Sequence, residues 1–325
     1  MCSSDLVYVG SRDNKLRAIA FDGNMPRELW SEDADTDDRV HDNDWDAAPI
    51  VVNGHLIEGS ENSWFYGWRL DRGYDALGEV TLGVEQVFRV KGWDDELVAD
   101  LAGDDPRSLS IESSVAVSGD TAYFQNSGGL VQGWDLSSLR TGVGEVHRTF
   151  RYWTGDDGDS TIVVDDEGFL YVGVQVDRDT DRARAVGQLI KLDPRKPDDP
   201  VVWSIDVNRG VDSGTWATPV VLDEVVIWTT KPGRVLGIGR RTGRQLWSLR
   251  INGGTLSSPV VVDGVLLQGD GDGVLHAWDL SDPRVEPTEL WRIDLPASIE
   301  STPVVWDGRI YTGSRDGHVY AFGVG

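Results

Sequence analysis

A single cysteine, Cys2, stands in 325 residues, so the chain forms no internal disulfide and no cysteine-based metal centre. Lysine is nearly as scarce, with 5 residues against 25 arginines, and glutamate falls to 14 against 41 aspartates. No stretch approaches the ~20 apolar residues of a membrane-spanning helix. There is no G-x-S-x-G, H-E-x-x-H or P-loop pattern, which removes the usual signatures of serine hydrolases, zinc proteases and nucleotide-binding loops. The five histidines, His41, His55, His147, His276 and His318, share no spacing and read as surface or loop residues. The formal net charge of −25 repels phosphate backbones and argues against a nucleic-acid partner.

What the chain has in abundance is turn chemistry. Its 38 glycines supply positive-φ positions, and aspartate suits turns where glutamate suits helices. The segment VYVGSRDNKLRAI at 7–19 returns as IYTGSRDGHVYAF at 310–322, and SIESSVAVSG at 110–119 returns near 298–308. One position serves as a ruler through the chain: Pro49, Val115, Ile162, Pro219, Pro259 and Pro303, spaced 40 to 66 residues apart. Each copy has an apolar run, a D-G or N-G pair, a β-rich run, a second turn and a third run. A D-G pair accepts the positive φ of a type I′ hairpin turn. In most copies a fourth run follows, marked by an aromatic residue: Trp30, Phe88, Trp203, Trp247 and Trp291. Four strands per unit with no helical period predict an all-β chain, a β-propeller of four-stranded antiparallel blades. Seven repeats are visible, the first lacking its opening strand and the last its fourth. Seven blades are expected, or eight if a whole blade preceded the first. Met1-Cys2-Ser3-Ser4-Asp5-Leu6 matches what the tail of a common sequencing-library adapter would encode. The expectation is therefore a non-native start over 1–6 and a single propeller domain over 7–325.

The segment GIGRRTGRQLW at 237–247 resembles the A-x-D-x-x-T-G-K-x-x-W element of pyrroloquinoline-quinone-like (PQQ-like) repeats. AWDLSD…TELW at 277–291 and KLDPRKPDDPVVW at 191–203 are looser copies. The WD40 propeller is the rival, since Trp134-Asp135 and Trp278-Asp279 supply its dipeptide, but its upstream Gly-His pair is missing before both. Quinoprotein dehydrogenases share the PQQ-like fold. That resemblance implies a quinone between a Trp and a disulfide of adjacent cysteines, with calcium on Glu and Asn and an Asp base. This sequence has no adjacent cysteines. The chain is instead similar to the non-catalytic branch that includes the propeller lipoprotein of the barrel-assembly machinery.

Candidate site residues come from the ruler. Three positions before it stand Asp46, Glu112, Asp159, Trp216, Leu256 and Glu300, four carboxylates in six. At equivalent strand starts they are expected to line one channel mouth, raise one another's pKa values, and draw in a cation or a Lys/Arg-bearing peptide. Trp45 and Trp216 flank this row as candidate ligand contacts. D-x-D-x-D runs at Asp33, Asp35 and Asp37, at Asp42, Asp44 and Asp46, and at Asp177, Asp179 and Asp181 resemble the opening of calcium loops. All three lack the glycine at position six and the closing glutamate of an EF-hand. Asp177, Asp179 and Asp181 are kept as weak metal candidates. The expectation is a monomeric, non-catalytic, protein-binding scaffold without a cofactor, calcium excepted, in the periplasm, envelope or exterior. A quinoprotein fragment and a sensor domain of a larger membrane protein are the alternatives.

Overall fold

The computed structural model describes residues 5–22, 25–34, 44–101, 109–207 and 213–323. Seven antiparallel sheets of three or four strands follow one another in the order the repeats predict among the described residues, and an eighth, two-stranded sheet pairs Gln175–Val176 with Ser213–Gly214. The first is Leu6–Val9, Lys15–Ala20 and Arg27–Asp33, and the second is Ile50–Val52, His55–Gly59, Trp64–Tyr74 and Val80–Lys91. The third is Ala116–Ser118, Thr121–Phe124, Leu130–Asp135 and His147–Trp153. The fourth is Val163–Val164, Leu170–Gly173, Leu189–Leu192 and Val201–Ile205, and the fifth Val220–Val221, Val225–Thr229, Arg234–Gly239 and Gln245–Arg250. The sixth is Val260–Val262, Val265–Gly269, Val274–Asp279 and Thr288–Asp294, and the seventh Val304–Trp306, Arg309–Ser314 and His318–Gly323. The chain divides into two compact units, residues 1–154 with the first three of these seven sheets and 155–325 with the other four and the two-stranded one.

The predicted turn chemistry is present. Asn53-Gly54, Asp263-Gly264 and Asp307-Gly308 hold φ of 49° and 74°, 49° and 74°, and 47° and 70°, the paired positive values of a type I′ turn. The fourth-strand aromatics are also explained, except Trp203, which lies opposite Lys191. Trp30 lies opposite Ala18, Phe88 opposite Gly67, Phe150 opposite Gly133, Trp247 opposite Gly237 and Trp291 opposite Ala277. Each of these pairs sits at a register shift. The small residue leaves room for the ring, since a Cβ at Gly237 would come within 2.1 Å of Trp247.

We call the face bearing this aromatic the leading face and the opposite one the trailing face. In the first unit, Leu16, Tyr8 and Trp30 of sheet one pack on Leu56, Tyr66 and Trp68 of sheet two. Ile57, Phe65 and Phe88 of sheet two pack on Ala122, Phe124 and Trp134 of sheet three. In the second unit, Tyr171, Leu189 and Trp203 of sheet four meet Val226, Trp228, Leu236 and Ile238 of sheet five. Ile227, Val235 and Trp247 of sheet five meet Leu266 and Trp278 of sheet six. Leading face on trailing face is thus the packing rule, and each large side chain so buried contributes roughly 1.5–3 kcal/mol. Indole donors add direction: Trp203 Nε1 donates to the Arg240 carbonyl at 3.0 Å and Trp247 Nε1 to that of Pro283 at 2.8 Å.

One boundary moves. The first strand begins at Leu6, paired with Ala20, because the ladder gains another rung there. The Asp5 carbonyl accepts from Phe21 N at 2.8 Å, and its carboxylate meets Arg72. Leu6 is therefore part of the sheet, and Asp5 is hydrogen-bonded at its end. Met1 to Ser4 lie outside the described residues.

Candidate functional site

The segment leading into each first strand is extended, so neighbouring positions face opposite ways. Four before the ruler stand Trp45, Ile111, Thr215, Thr255 and Ile299, all buried. Three before it, Asp46 is exposed, and Glu112, Asp159, Trp216, Leu256 and Glu300 are half-buried. This alternation separates the two tryptophans that the sequence reading grouped together. Trp45 is 1% exposed, with Tyr66 and Trp68 ring centroids at 5.2 and 5.9 Å and its Nε1 donating to the Asn14 carbonyl at 3.2 Å. It is a core residue, not a ligand contact. Trp216 keeps its place in the row.

A second row faces the first. In the turn after the repeat's second strand in every sheet but the fourth stand Arg12, Glu61, Ser127, Lys231, Gly271 and Arg315. In the first unit, Arg12 Nη2 donates to Asp46 at 2.8 Å and Nε at 3.3 Å. Those hydrogen bonds, with the nearby charges of Glu61 and Asp44, push the Arg12 guanidinium above its usual range. Oxygens of Asp44, Asp46 and Glu61 lie within 4.8 Å of one another beside it. Ser127 Oγ donates to Glu112 at 2.9 Å. In the second unit, Arg315 Nε donates to Glu300 at 2.7 Å, and Lys231 Nζ stands 4.8 Å over the Trp216 ring. At Asp46, Glu112 and Glu300 each carboxylate is given a donor from the opposing turn. Asp46 and Glu112 belong to one unit and Asp159 and Glu300 to the other, and each is described within its own.

In the second unit this face is concave. A cavity of 370 Å³ is lined by Lys231, Thr255, Leu256, Ser298 and Glu300 among others. A second, of 220 Å³, adjoins it at Glu300 and reaches Ser301, Ser314 and Arg315.

The loop with Asp177, Asp179 and Asp181 is not arranged as a cation cage. Asp179 and Asp181 both grip Arg184 at 2.9 Å, and Asp177 is exposed. Buried Asp156 organises the loop instead, accepting backbone N–H groups of Asp177, Arg178 and Asp179 at 3.1, 2.9 and 2.7 Å. Of the other two runs, Asp35, Asp37 and Asp42 lie outside the described residues, and Asp33 pairs with Lys15 at 3.0 Å. A further acidic group, Asp165, Asp166 and Glu167, is filled by Arg240 from the next sheet, at 3.0 Å from Asp165 and 3.4 Å from Glu167. Lys191 stands 3.7 Å from Asp165, and burial lowers its pKa.

The family model described as outer membrane protein assembly factor BamB matches residues 185–286 and 263–324, from the third strand of sheet four onward. BamB from Moraxella catarrhalis is similar in structure, with TM-score 0.55 and 17% identity over 99% of this chain and 95% of that one. The fold is a β-propeller, and residues 185–324 resemble the PQQ-like repeat family. Two further propellers share the fold at lower identity. Sqt1 of Chaetomium thermophilum, solved bound to the N-terminus of ribosomal protein L10, has TM-score 0.72 and 14% identity over 98% of this chain and 82% of that one. The WD40 β-propeller domain of Doa1 has TM-score 0.61 and 12% identity over 98% and 89%. No curated protein matches the chain in sequence. The first three sheets of this propeller, outside the family match, place their fourth-strand aromatic opposite a small residue as sheets five and six do.

The second row was legible and missed. The matching SRD turns mark Arg12 and Arg315, and their opposite charge to Asp46 and Glu300 was the signal for pairing.

Proposed function

We propose that this propeller is a non-catalytic scaffold that binds a protein partner at the strand-start face, with the recess around Glu300 taking a Lys- or Arg-bearing peptide segment. The observation that carries this is the meeting of the 370 and 220 Å³ cavities at Glu300. Together they form an elongated recess with a carboxylate at its centre and Trp216 nearby. A carboxylate offers about four lone-pair sites, so Glu300 can accept from an incoming ammonium while Arg315 holds its other side. The formal charge of −25 draws basic segments to the protein in a salt-sensitive way. Sqt1, in complex with a ribosomal-protein N-terminus, and BamB, an assembly factor, both favour a propeller that serves a polypeptide partner. The same family description favours an envelope or exterior setting, which fractionation of the native host checks. Calcium is the competing occupant of the Glu300 carboxylate.

Titration calorimetry with a lysine-containing peptide tests the reading. Saturable binding is expected at low salt, weakened at ~0.3 M salt and roughly tenfold weaker in Glu300→Gln. Equal affinity in Glu300→Gln, or stabilisation by calcium without any peptide binding, overturns it. Added quinone with calcium should leave tryptophan fluorescence unchanged, and a saturable change would restore the enzyme reading.

A further inference from the structure

Glu300 carries its strong hydrogen bonds on one oxygen only. Arg315 donates from Nε to Oε2 at 2.7 Å and reaches the same oxygen with Nη2. Oε1 takes one long donation, from Ser298 Oγ at 3.4 Å. The matching SRD turn of the first unit closes its carboxylate on both sides. There Arg12 Nη2 holds one oxygen of Asp46 at 2.8 Å and Nε the other at 3.3 Å, the planar fork that matches guanidinium to carboxylate.

The two oxygens of Glu300 also look into different spaces. Ser298 lines the 370 Å³ cavity and Arg315 the 220 Å³ one, with Glu300 common to both. Oε1, on the Ser298 side, therefore faces the larger cavity. Leu256 and the stem of Lys231 give that cavity apolar wall, which suits the methylenes of a long side chain. Gly253 and Gly271 add no side chain to fill it, and a Cβ at Gly271 would come 2.2 Å from the Gly253 carbonyl oxygen. The Lys231 ammonium is engaged with the Trp216 ring at 4.8 Å and with Gln175 Oε1 at 3.5 Å.

We infer, resting on the reading that this recess takes a basic segment, that it selects a primary ammonium over a guanidinium and that Arg315 is the residue that decides. One ammonium hydrogen goes to Oε1, a second to the Ser298 hydroxyl oxygen, and the third stays in water. A guanidinium draws its advantage from gripping two oxygens at once, and Arg315 already occupies Oε2. Seated on Oε1 alone, it leaves N–H groups without acceptors and brings its charge against that of Arg315. The ammonium belongs to a lysine side chain or to a polypeptide N-terminus.

Calorimetry on the whole protein at low salt, with three matched Gly/Ser peptides, tests this. The first is acetylated and carries a central Lys, the second is acetylated with Arg in its place, and the third has Gln there and a free N-terminus. The first or the third should bind about tenfold or more tighter than the Arg peptide. Whichever binds tighter assigns the source of the ammonium. Arg315→Met frees Oε2 and should bring the ratio of ammonium to Arg affinity to about one or below. Arg241→Met, an exposed position outside both cavities, makes the same change in net charge and should leave the ratio as it was. An Arg peptide that binds the wild-type protein as tightly as both ammonium peptides overturns the inference while the peptide reading stands. So does a ratio that Arg315→Met does not move. If none of the three binds, the inference falls together with the reading it rests on.

Discussion

Glu58 offers the sharpest test of the packing described here. It lies in the second strand of sheet two opposite Tyr66, is 0% exposed, and neither carboxyl oxygen has a hydrogen-bond partner. Burial pushes its pKa well above the ordinary value of 4.5. Because the folded-state value is the higher one, the fold favours the protonated acid. The stability it permits is fully present below about 4.5 and is lost as pH rises from there toward the folded value. Each pH unit in that window costs about 1.4 kcal/mol. Glu58→Gln has nearly the same shape and cannot ionise, so it should gain on wild type by about that slope above pH 5. Glu58→Met should gain further at every pH, because it also removes two unpaired buried oxygens, at about 1–3 kcal/mol for such a group. Urea unfolding followed by tryptophan fluorescence between pH 5 and 8 measures both. Taking the difference from wild type cancels the titration of the other carboxylates. A difference that stays flat over that range would falsify the claim that Glu58 is buried without a partner.

Three further outcomes follow from the packing. Trp45→Ala should cost about 3–5 kcal/mol of stability by cavity formation, with peptide affinity at the Glu300 recess unchanged, as thermal unfolding and calorimetry would show. Arg240→Met should cost about 3–5 kcal/mol at neutral pH by leaving Asp165 buried without its main partner. Adding Asp165→Leu should recover much of that loss, and an additive second penalty in denaturant unfolding would refute the pairing. Gly237→Ala should cost about 1–3 kcal/mol, because its Cβ meets the Trp247 ring and the core is already filled; unchanged stability would show that the ring has room to shift.

The repeat was legible because its signals are local. D-G pairs, alternating apolar runs and a spaced aromatic each act within a few residues, and the strands at Arg309–Ser314 and Gln245–Arg250 lie where those signals put them. The site was only half legible. The spacing found the row of Asp46, Glu112 and Glu300, but a one-residue offset places Trp45 on the buried side and Trp216 on the open one, since adjacent extended residues face opposite ways. Arg12, in the repeated SRD turn, could have been paired with Asp46 from the repeat, but Arg240 reaches Asp165 over 75 residues and no local pattern encodes that contact. Glu58 looked like any strand glutamate, because what makes it unusual is the set of side chains around it.

Hydrogen–deuterium exchange of the intact protein, with and without a saturating lysine-containing peptide, tests the central claim most directly. The account predicts slower exchange confined to residues 231, 253–256, 271, 298–301 and 313–315, the segments that line the two cavities meeting at Glu300. Protection elsewhere, or none while the peptide is bound, would contradict it.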